Sequence, residues 1–314
     1  MSRHDADWHD RQYNNRGRIP DHPAILQDWF DRSAAARRQL RSHLDQPYGD
    51  GGGETLDVFP AERAAGDDTS RTHQLPGAPI LIYIHGGYWR ALDKRDQSFI
   101  ALPFVRTGAM VVLPNHALCP AVSVEHITLQ LVRAVSWVYR HAAQFGGDAQ
   151  RIVVAGHSAG GHLATMMLCC RWPEVAPDLP SRLVRSALSV SGVFDLAPLR
   201  HAPFLAPDLG LSATSAYRLS PLRMPAPVGP LLAVVGGDES EAFLSQHRAI
   251  ARAWGRRAVP ICETVPGRHH MNVLNALAEP ASHVHRLALG LLGLSAEGGT
   301  VEPSAGRDLH RARR

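Results

Sequence analysis

Residues 151–163, with the sequence RIVVAGHSAGGHL, constrain the fold and the chemistry of this chain more than any other stretch. Residues 152–155 are apolar and predict a short buried strand, and the apolar positions of 163–168 predict a helix directly after it. The turn between them, called the elbow below, has the pattern Gly-x-Ser-x-Gly. Between a strand and a helix, this pattern presents a serine hydroxyl above a sheet and turns the next backbone N–H towards a developing oxyanion. Ser158 is therefore a candidate nucleophile, and the amide of Ala159 is a candidate oxyanion donor.

The rest of the chain alternates between apolar strands and amphipathic helices. Strands are predicted at 55–59, 79–84, 109–113, 184–190, 231–235 and 260–265, and helices at 23–43, 123–144, 241–254 and 270–292. This alternation predicts a doubly wound, mostly parallel α/β sheet with helices on both faces.

The segments outside this pattern set the expected domain organisation. Residues 193–228 contain six prolines and no clear strand, which predicts a short cap insertion. We expect a single α/β domain over 21–295, a polar and irregular N-terminal segment over 1–20, and a disordered basic tail over 296–314.

Chemically useful residues follow several of the predicted strands. They are His85-Gly86-Gly87, Ser158, Asp238-Glu239 and His269-His270. In open α/β sheets, ligands bind beyond the carboxyl ends of the strands. We therefore expect these residues to meet at one edge of the sheet.

The order of these residues along the chain suits acyl transfer by a serine. Such a nucleophile needs a base to take its proton and an acid to orient the base. The order serine, then Asp or Glu, then His is the one found in α/β-hydrolases. Asp238 and Glu239 are the candidate acids, and His269 and His270 are the candidate bases.

His85-Gly86-Gly87 follows a predicted strand, as the oxyanion loop of lipases and esterases does. The amides of Gly86 and Gly87, together with that of Ala159, are the candidate oxyanion donors. Tyr88 and Trp89 come next, and they either line an aromatic substrate pocket or pack behind the loop.

Three stretches resemble the kynurenine formamidase (arylformamidase) branch of the α/β-hydrolase superfamily, which neighbours the hormone-sensitive-lipase-like carboxylesterases. They are HGGYW at 85–89, GHSAGGHL at 156–163 and GGDESEAF at 236–243. YNNR at 13–16 and LDVF at 56–59 resemble the lead-in of the same family. The resemblance implies an α/β-hydrolase fold and hydrolysis of N-formyl-L-kynurenine to kynurenine and formate, without a cofactor.

The resemblance also favours one residue of each open pair. The acid of the family falls on Glu239 rather than Asp238, although Asp is the usual acid of the family. The histidine of the family precedes an apolar or aromatic residue, which favours His270, before Met271, over His269. The resemblance therefore implies Ser158, Glu239 and His270 as the catalytic residues.

Other polar residues carry weaker functional hypotheses. His157 and His162 flank the elbow but lack the carboxylate or cysteine partners of a metal site, so we expect no metal. His116 stands near the end of a strand and could reach the pocket, and Asp195 is interpreted as a turn residue. The four cysteines have no C-x-x-C spacing and are typical of small buried apolar residues.

Composition limits the partners. The net charge is only +4 although the pI is about 9.1, and much of the excess lies in the C-terminal HRARR, so we expect no nucleic-acid partner. No apolar run approaches the roughly 18 residues of a membrane span. The polar N-terminus lacks the apolar core of a secretory signal, which favours a cytoplasmic location. A homodimer is left open.

The sequence thus predicts a serine hydrolase acting on a small ester or formamide. A general short-chain carboxylesterase is the second hypothesis. A hydrolase-fold protein that binds a ligand without cleaving it is the third, and the complete set of candidate catalytic residues argues against it.

Overall fold

An eight-stranded sheet forms the centre of the molecule. The structure is a computed structural model that describes residues 5–62 and 77–295, so the predicted basic tail over 296–314 lies outside the described residues. The strands are β1 (His43–Pro47), β2 (Thr55–Phe59), β3 (Ala78–Ile84), β4 (Met110–Pro114), β5 (Gly147–His157), β6 (Val184–Val190), β7 (Leu231–Gly236) and β8 (Ile261–Val265). Their spatial order is β1-β2-β4-β3-β5-β6-β7-β8. Pairs β1–β2 and β2–β4 are antiparallel and the others are parallel, so the mostly parallel sheet is confirmed.

Both faces of this sheet are covered, which explains why its strands are apolar at nearly every position. In β3, Ile80, Ile82 and Ile84 pack into the core on one face. Leu81 and Tyr83 of the same strand pack into the core on the other face. The alternation follows from the two-residue period of a strand.

Helices fill the layers on either side of the sheet. They are α1 (Ala6–Tyr13), α2 (Asn15–Arg18), α3 (His22–Gln39), α4 (Ala101–Arg106), α5 (Val124–His141), α6 (Ala159–Cys169), α7 (Trp172–Val175), α8 (Ala206–Leu209), α9 (Ala213–Arg218), α10 (Glu241–Ala258), α11 (Val273–Ala278) and α12 (His283–Leu292). Of the described helices, none is both long and apolar enough to cross a membrane.

Within the described part of the N-terminal segment, 6–13 and 15–18 are helical, so the expectation of an irregular segment is wrong for these residues. Asp5 caps α1 by accepting a hydrogen bond from the amide of Trp8 at 2.7 Å, and Asn14 caps α2 in the same way from Gly17 at 3.1 Å. Such caps stabilise the first turn of a helix. Both helices are too short to be stable alone, and buried Tyr13 fixes α1 to the rest of the protein.

The predicted closing helix over 270–292 is two helices, α11 and α12. Pro280 lies between them and cannot continue a helix, because its ring removes a backbone donor. Ser282 caps α12 by accepting from the amide of His285 at 3.0 Å. His270 consequently lies in the turn that precedes α11, which leaves its side chain free to face the sheet edge.

The insertion over 193–228 has the predicted character. It contains α8, α9 and two short 3-10 helices, Ala197–His201 and Pro221–Arg223, and no described strand. His162 of α6 donates from Nε2 to the carbonyl of Leu219 at 2.7 Å and so fastens this cap to the sheet layer.

Candidate active site

Ser158 lies at the sharp turn between β5 and α6. Its φ of 57° and ψ of −117° are a combination that side-chain-bearing residues rarely adopt. The amide of Ser158 donates to the carbonyl of Val190 at 2.8 Å, which holds the turn against β6. The strained turn lifts the serine hydroxyl out of the sheet and into a cavity.

Gly160 lets this turn approach the neighbouring strand. A Cβ on Gly160 would lie 2.0 Å from the carbonyl oxygen of Ile84 in β3. That contact is with backbone and cannot be relieved by turning a side chain. The second glycine of the Gly-x-Ser-x-Gly pattern is therefore required by packing.

The substitution Gly160→Ala should lower the free energy of unfolding by about 1–3 kcal/mol or more, because the added methyl overpacks a fixed backbone contact. Gly290→Ala is the matched control, since a Cβ at Gly290 in α12 meets no atom within 4 Å. It should be neutral or stabilise the protein by up to about 1 kcal/mol. Thermal and denaturant unfolding measure both changes. Equal effects would show that the elbow has room for a side chain.

His270 links Ser158 to an acid. Its Nε2 lies 3.0 Å from the Oγ of Ser158, and its Nδ1 lies 2.7 Å from the Oε2 of Glu239. With the ring proton on Nδ1, the imidazole donates to the carboxylate and accepts from the serine hydroxyl. All three side chains are buried. This is the geometry of a nucleophile, a base and an orienting acid.

The alternatives to Glu239 and His270 lie elsewhere. Asp238 is exposed, and its amide donates to the carbonyl of Arg268 at 3.0 Å. His269 uses Nδ1 to accept from the amides of Met271 and Asn272, each at 3.3 Å, and so shapes the turn. The structure therefore brings together the residues that the resemblance favours. Their catalytic roles stay predictions.

Glu239 is held in its charged form. It accepts hydrogen bonds from the amide of Gly236 at 2.9 Å and from the hydroxyl of Ser191. Burial on its own would raise the pKa of this carboxyl, but the charge of His270 and these hydrogen bonds outweigh it and lower the pKa below its ordinary value. A charged acid is what orients and stabilises a protonated histidine.

Sequence reasoning missed the support that Ser191 gives to Glu239. A signal was present, since Ser191 directly follows the strand predicted at 184–190 and so had to lie at the same sheet edge. Its φ of 52° marks a second strained turn beside the elbow.

The glycine loop after β3 lies beside the elbow. A Cβ on Gly86 would be 3.4 Å from the Cβ of Ser158 and 2.8 Å from the carbonyl oxygen of His157. Gly87 has a φ of +107°, which favours glycine, and it lines the cavity. Ala159 is the first residue of α6, so its amide has no partner within the helix. The three predicted oxyanion donors therefore flank Ser158.

A cavity of about 380 Å³ opens above these groups. Its lining is Asn14, Asn15, Arg16, Leu26, Trp29, Gly87, Tyr88, Arg90, Ala91, Leu92, His157, Ser158, Phe204, Asp208, His270 and Met271. The volume lies within the roughly 300–1,000 Å³ of small-molecule sites. The aromatic rings suit a flat ligand.

Of the two predicted pocket residues, Tyr88 lines the cavity and Trp89 does not. Trp89 has no exposed surface, and its ring packs edge-on against His162 at 5.0 Å between centroids. Of the two alternatives left open for Trp89, the structure places its ring in the packing behind the loop. Both residues have a positive φ, 52° and 57°, so the loop reverses between them, and the larger apolar ring takes the core position.

The N-terminal segment forms one wall of the cavity. Asn14, Asn15 and Arg16 face the space above Ser158. The hydroxyl of Tyr88 donates to the carbonyl of Tyr13 at 2.7 Å and ties this wall to the glycine loop. The sequence did not settle whether this segment covers the site; the structure places it there.

The remaining histidines have structural positions. His157 donates from Nε2 to the carbonyl of His270 at 2.7 Å, and burial lowers its pKa to about 3, so it is neutral and steadies the His270 backbone. His116 stacks on His85 at 4.4 Å and does not line the cavity. Asp195 pairs with Arg223 and caps the turn at Ala197.

The described ranges contain no His, Cys, Asp and Glu group that could hold a metal.

Comparisons with known proteins agree with this geometry. The BD-FAE family model matches residues 69–195. Kynurenine formamidase from Salmo salar is 29% identical over 88% of this chain and 90% of its own length. Esterase LipQ from Mycobacterium tuberculosis is 33% identical over 51% of this chain and 37% of its own. The crystal structure of a candidate thioesterase from Silicibacter sp. TM1040 is 31% identical, with a TM-score of 0.73 over 88% of this chain and 96% of that one.

The formamidase and the thioesterase structure each match 88% of this chain, whereas the family model ends at residue 195. The relatives named are hydrolases, and the fold, the residue order and the elbow are those of their superfamily. The chain has the α/β-hydrolase fold and resembles the kynurenine formamidase-like branch of that superfamily, close to the hormone-sensitive-lipase-like carboxylesterases.

Proposed function

We propose that this protein is a serine hydrolase that removes the formyl group of N-formyl-L-kynurenine through an acyl-enzyme. The observation that carries the proposal is the continuous hydrogen-bond chain from Ser158 through His270 to Glu239 at the floor of an aromatic cavity. No cofactor is needed for this chemistry.

The first half of the reaction follows from the contacts of His270. As the Oγ of Ser158 attacks the formyl carbon, its proton passes to Nε2 of His270. The charge that develops on the carbonyl oxygen is met by the amides of Ala159 and Gly87 or Gly86, and losing one such donor typically costs about 10²–10³ in turnover. Ionised Glu239 stabilises the imidazolium. The intermediate collapses when His270 returns the proton to the aniline nitrogen, and kynurenine leaves.

The second half repeats these steps with water. His270 takes a proton from a water molecule, which attacks the formyl ester of Ser158. Collapse of the second intermediate returns the proton to Oγ and releases formate. Each proton is moved by the same nitrogen, so a single histidine serves both halves.

Two observations support a formamide as substrate. Two relatives that match 88% and 87% of this chain are kynurenine formamidases, at 29% and 27% identity. The cavity walls include Trp29, Tyr88 and Phe204, which suit an aromatic leaving group. A formyl group itself needs little room beside the nucleophile.

A short-chain carboxylesterase is the second candidate. It is favoured by the esterase from Mycobacterium tuberculosis, whose similarity is confined to about half of this chain. An ester and an activated amide pass through the same tetrahedral intermediate, so the site would serve both.

The purified protein should hydrolyse N-formyl-L-kynurenine with a higher kcat/KM than p-nitrophenyl acetate. Release of kynurenine and of p-nitrophenol, followed by absorbance, measures the two activities. Hydrolysis of the ester with no detectable deformylation would contradict the formamidase proposal and support the esterase.

A further inference from the structure

One wall of the cavity carries donor groups that the proposed chemistry does not use. Arg16 and Asn15 of α2 face the same space as Ser158. Neither is needed to form or break the acyl-enzyme. Because they lie in the wall of the same cavity, they are candidates for binding the part of the substrate that is remote from the scissile bond.

Arg16 supplies an uncompensated positive charge. Among the residues that the structure describes, no carboxylate lies within ion-pair distance of its guanidinium, and the side chain is exposed. The other arginine of the cavity, Arg90, is already neutralised by Asp208 and also donates to the carbonyl of Phe204 at 2.7 Å. Arg16 is therefore the cavity arginine that is available to pair with a negatively charged group of a ligand.

Asn15 adds a second unused donor. The residue is 7% exposed, and within the described ranges its Nδ2 has no hydrogen-bond partner. Asn15 lines the cavity, so this amide nitrogen is available to donate to a ligand oxygen there. A buried amide without a partner costs about 1–3 kcal/mol, which a ligand oxygen would recover.

We infer that Arg16, with Asn15 beside it, binds a carboxylate on the leaving group of the substrate and so selects substrates that carry this carboxylate over those that lack it. The inference rests on the proposed function, because it places the scissile bond at Ser158. A guanidinium matches a carboxylate through paired N–H donors, and the amide of Asn15 can add a third. Kynurenine, the leaving group of the proposed reaction, carries such a carboxylate at its α-carbon.

The test compares two formanilides that differ in this carboxylate. They are N-formyl-L-kynurenine and its decarboxylated analogue, N-formylkynuramine. The unmodified protein should prefer the first. Arg16→Gln should lower kcat/KM for N-formyl-L-kynurenine about 10-fold, mostly through KM, because a charged hydrogen bond formed equally in ground and transition state is lost. Its kcat/KM for the decarboxylated analogue, which carries an ammonium group and no carboxylate, should not fall.

Arg18→Gln is the matched control. Arg18 lies in the same short helix, is also exposed, and does not line the cavity. It should leave both substrates unaffected. Asn15→Asp provides an independent variant, since a negative charge beside Arg16 should selectively weaken binding of the substrate that carries the carboxylate. Equal losses on both substrates in Arg16→Gln, or no loss on either, would overturn the inference.

A second pair of substrates separates this inference from the proposed function. 4-Ethylphenyl acetate and the acetate ester of 3-(4-hydroxyphenyl)propanoate also differ by one carboxylate but carry no formamide. If the protein fails to deformylate yet prefers the anionic ester in an Arg16-dependent manner, the carboxylate site stands and the formamidase proposal fails. Deformylation of both formanilides at equal rates, unaffected by Arg16→Gln, gives the opposite result.

Discussion

Replacing Ser158 with alanine should reduce kcat/KM by roughly 10⁴–10⁶-fold, which is the scale observed when a serine nucleophile is removed from a complete triad. The Oγ of Ser158 is the atom that lies 3.0 Å from the Nε2 of His270. Without it, His270 has no proton to take and no acyl-enzyme can form. The oxyanion donors and the cavity walls are unchanged, so residual activity above that of water should persist.

Steady-state kinetics with N-formyl-L-kynurenine and with p-nitrophenyl acetate should show the same loss. A fluorophosphonate probe should label the unmodified protein and not the Ser158→Ala variant. Ser245→Ala is the control, because Ser245 is exposed on α10 and away from this cavity. It should retain both activity and labelling. A folded Ser158→Ala protein that still turns over either substrate within about 10-fold of the original would exclude the acyl-enzyme through this serine.

The elbow could be predicted from sequence because its determinants are local. A strand, a turn and a helix occupy adjacent residues. The turn approaches β3 so closely that position 160 must be glycine. The positions at the ends of other strands followed from the rule that ligands bind at the carboxyl edge of a parallel sheet. Glu239 needed more than that. Asp238 and Glu239 are neighbours with the same charge, and only the resemblance favoured the one that contacts His270.

The features that were missed depend on contacts between residues far apart in the chain. Helix α1 has few apolar residues, so its period is weak. It is held by buried Tyr13, whose ring packs against Phe243 of α10 and whose carbonyl accepts from the hydroxyl of Tyr88. Trp89 and Tyr88 are adjacent aromatic residues, and a reversal of the backbone decides which one reaches the core. No pattern within a short window carries that information, because tertiary packing determines it.

The substitution Glu239→Gln should lower kcat about 10⁴-fold at neutral pH, by analogy with the loss of a triad acid elsewhere. The amide would keep an acceptor for Gly236 and Ser191, so the fold should be retained. It would, however, turn an N–H towards Nδ1 of His270 and force the ring proton onto Nε2. In that tautomer Nε2 faces Ser158 as a donor and cannot take its proton. The unfavourable tautomer, rather than a misplaced ring, is the cause of the loss.

Asp238→Asn is the matched control for Glu239→Gln, because it removes the neighbouring carboxylate, which is exposed. It should change kcat by no more than about twofold, as surface substitutions usually do. Glu239→Asp should lie between the two, since it keeps the charge but shortens the reach to His270. Kinetics on all three variants, with thermal unfolding to confirm that each is folded, decide the assignment. A larger loss in Asp238→Asn than in Glu239→Gln would show that Asp238 orients the base during catalysis, and that the 2.7 Å contact of Glu239 with His270 is structural.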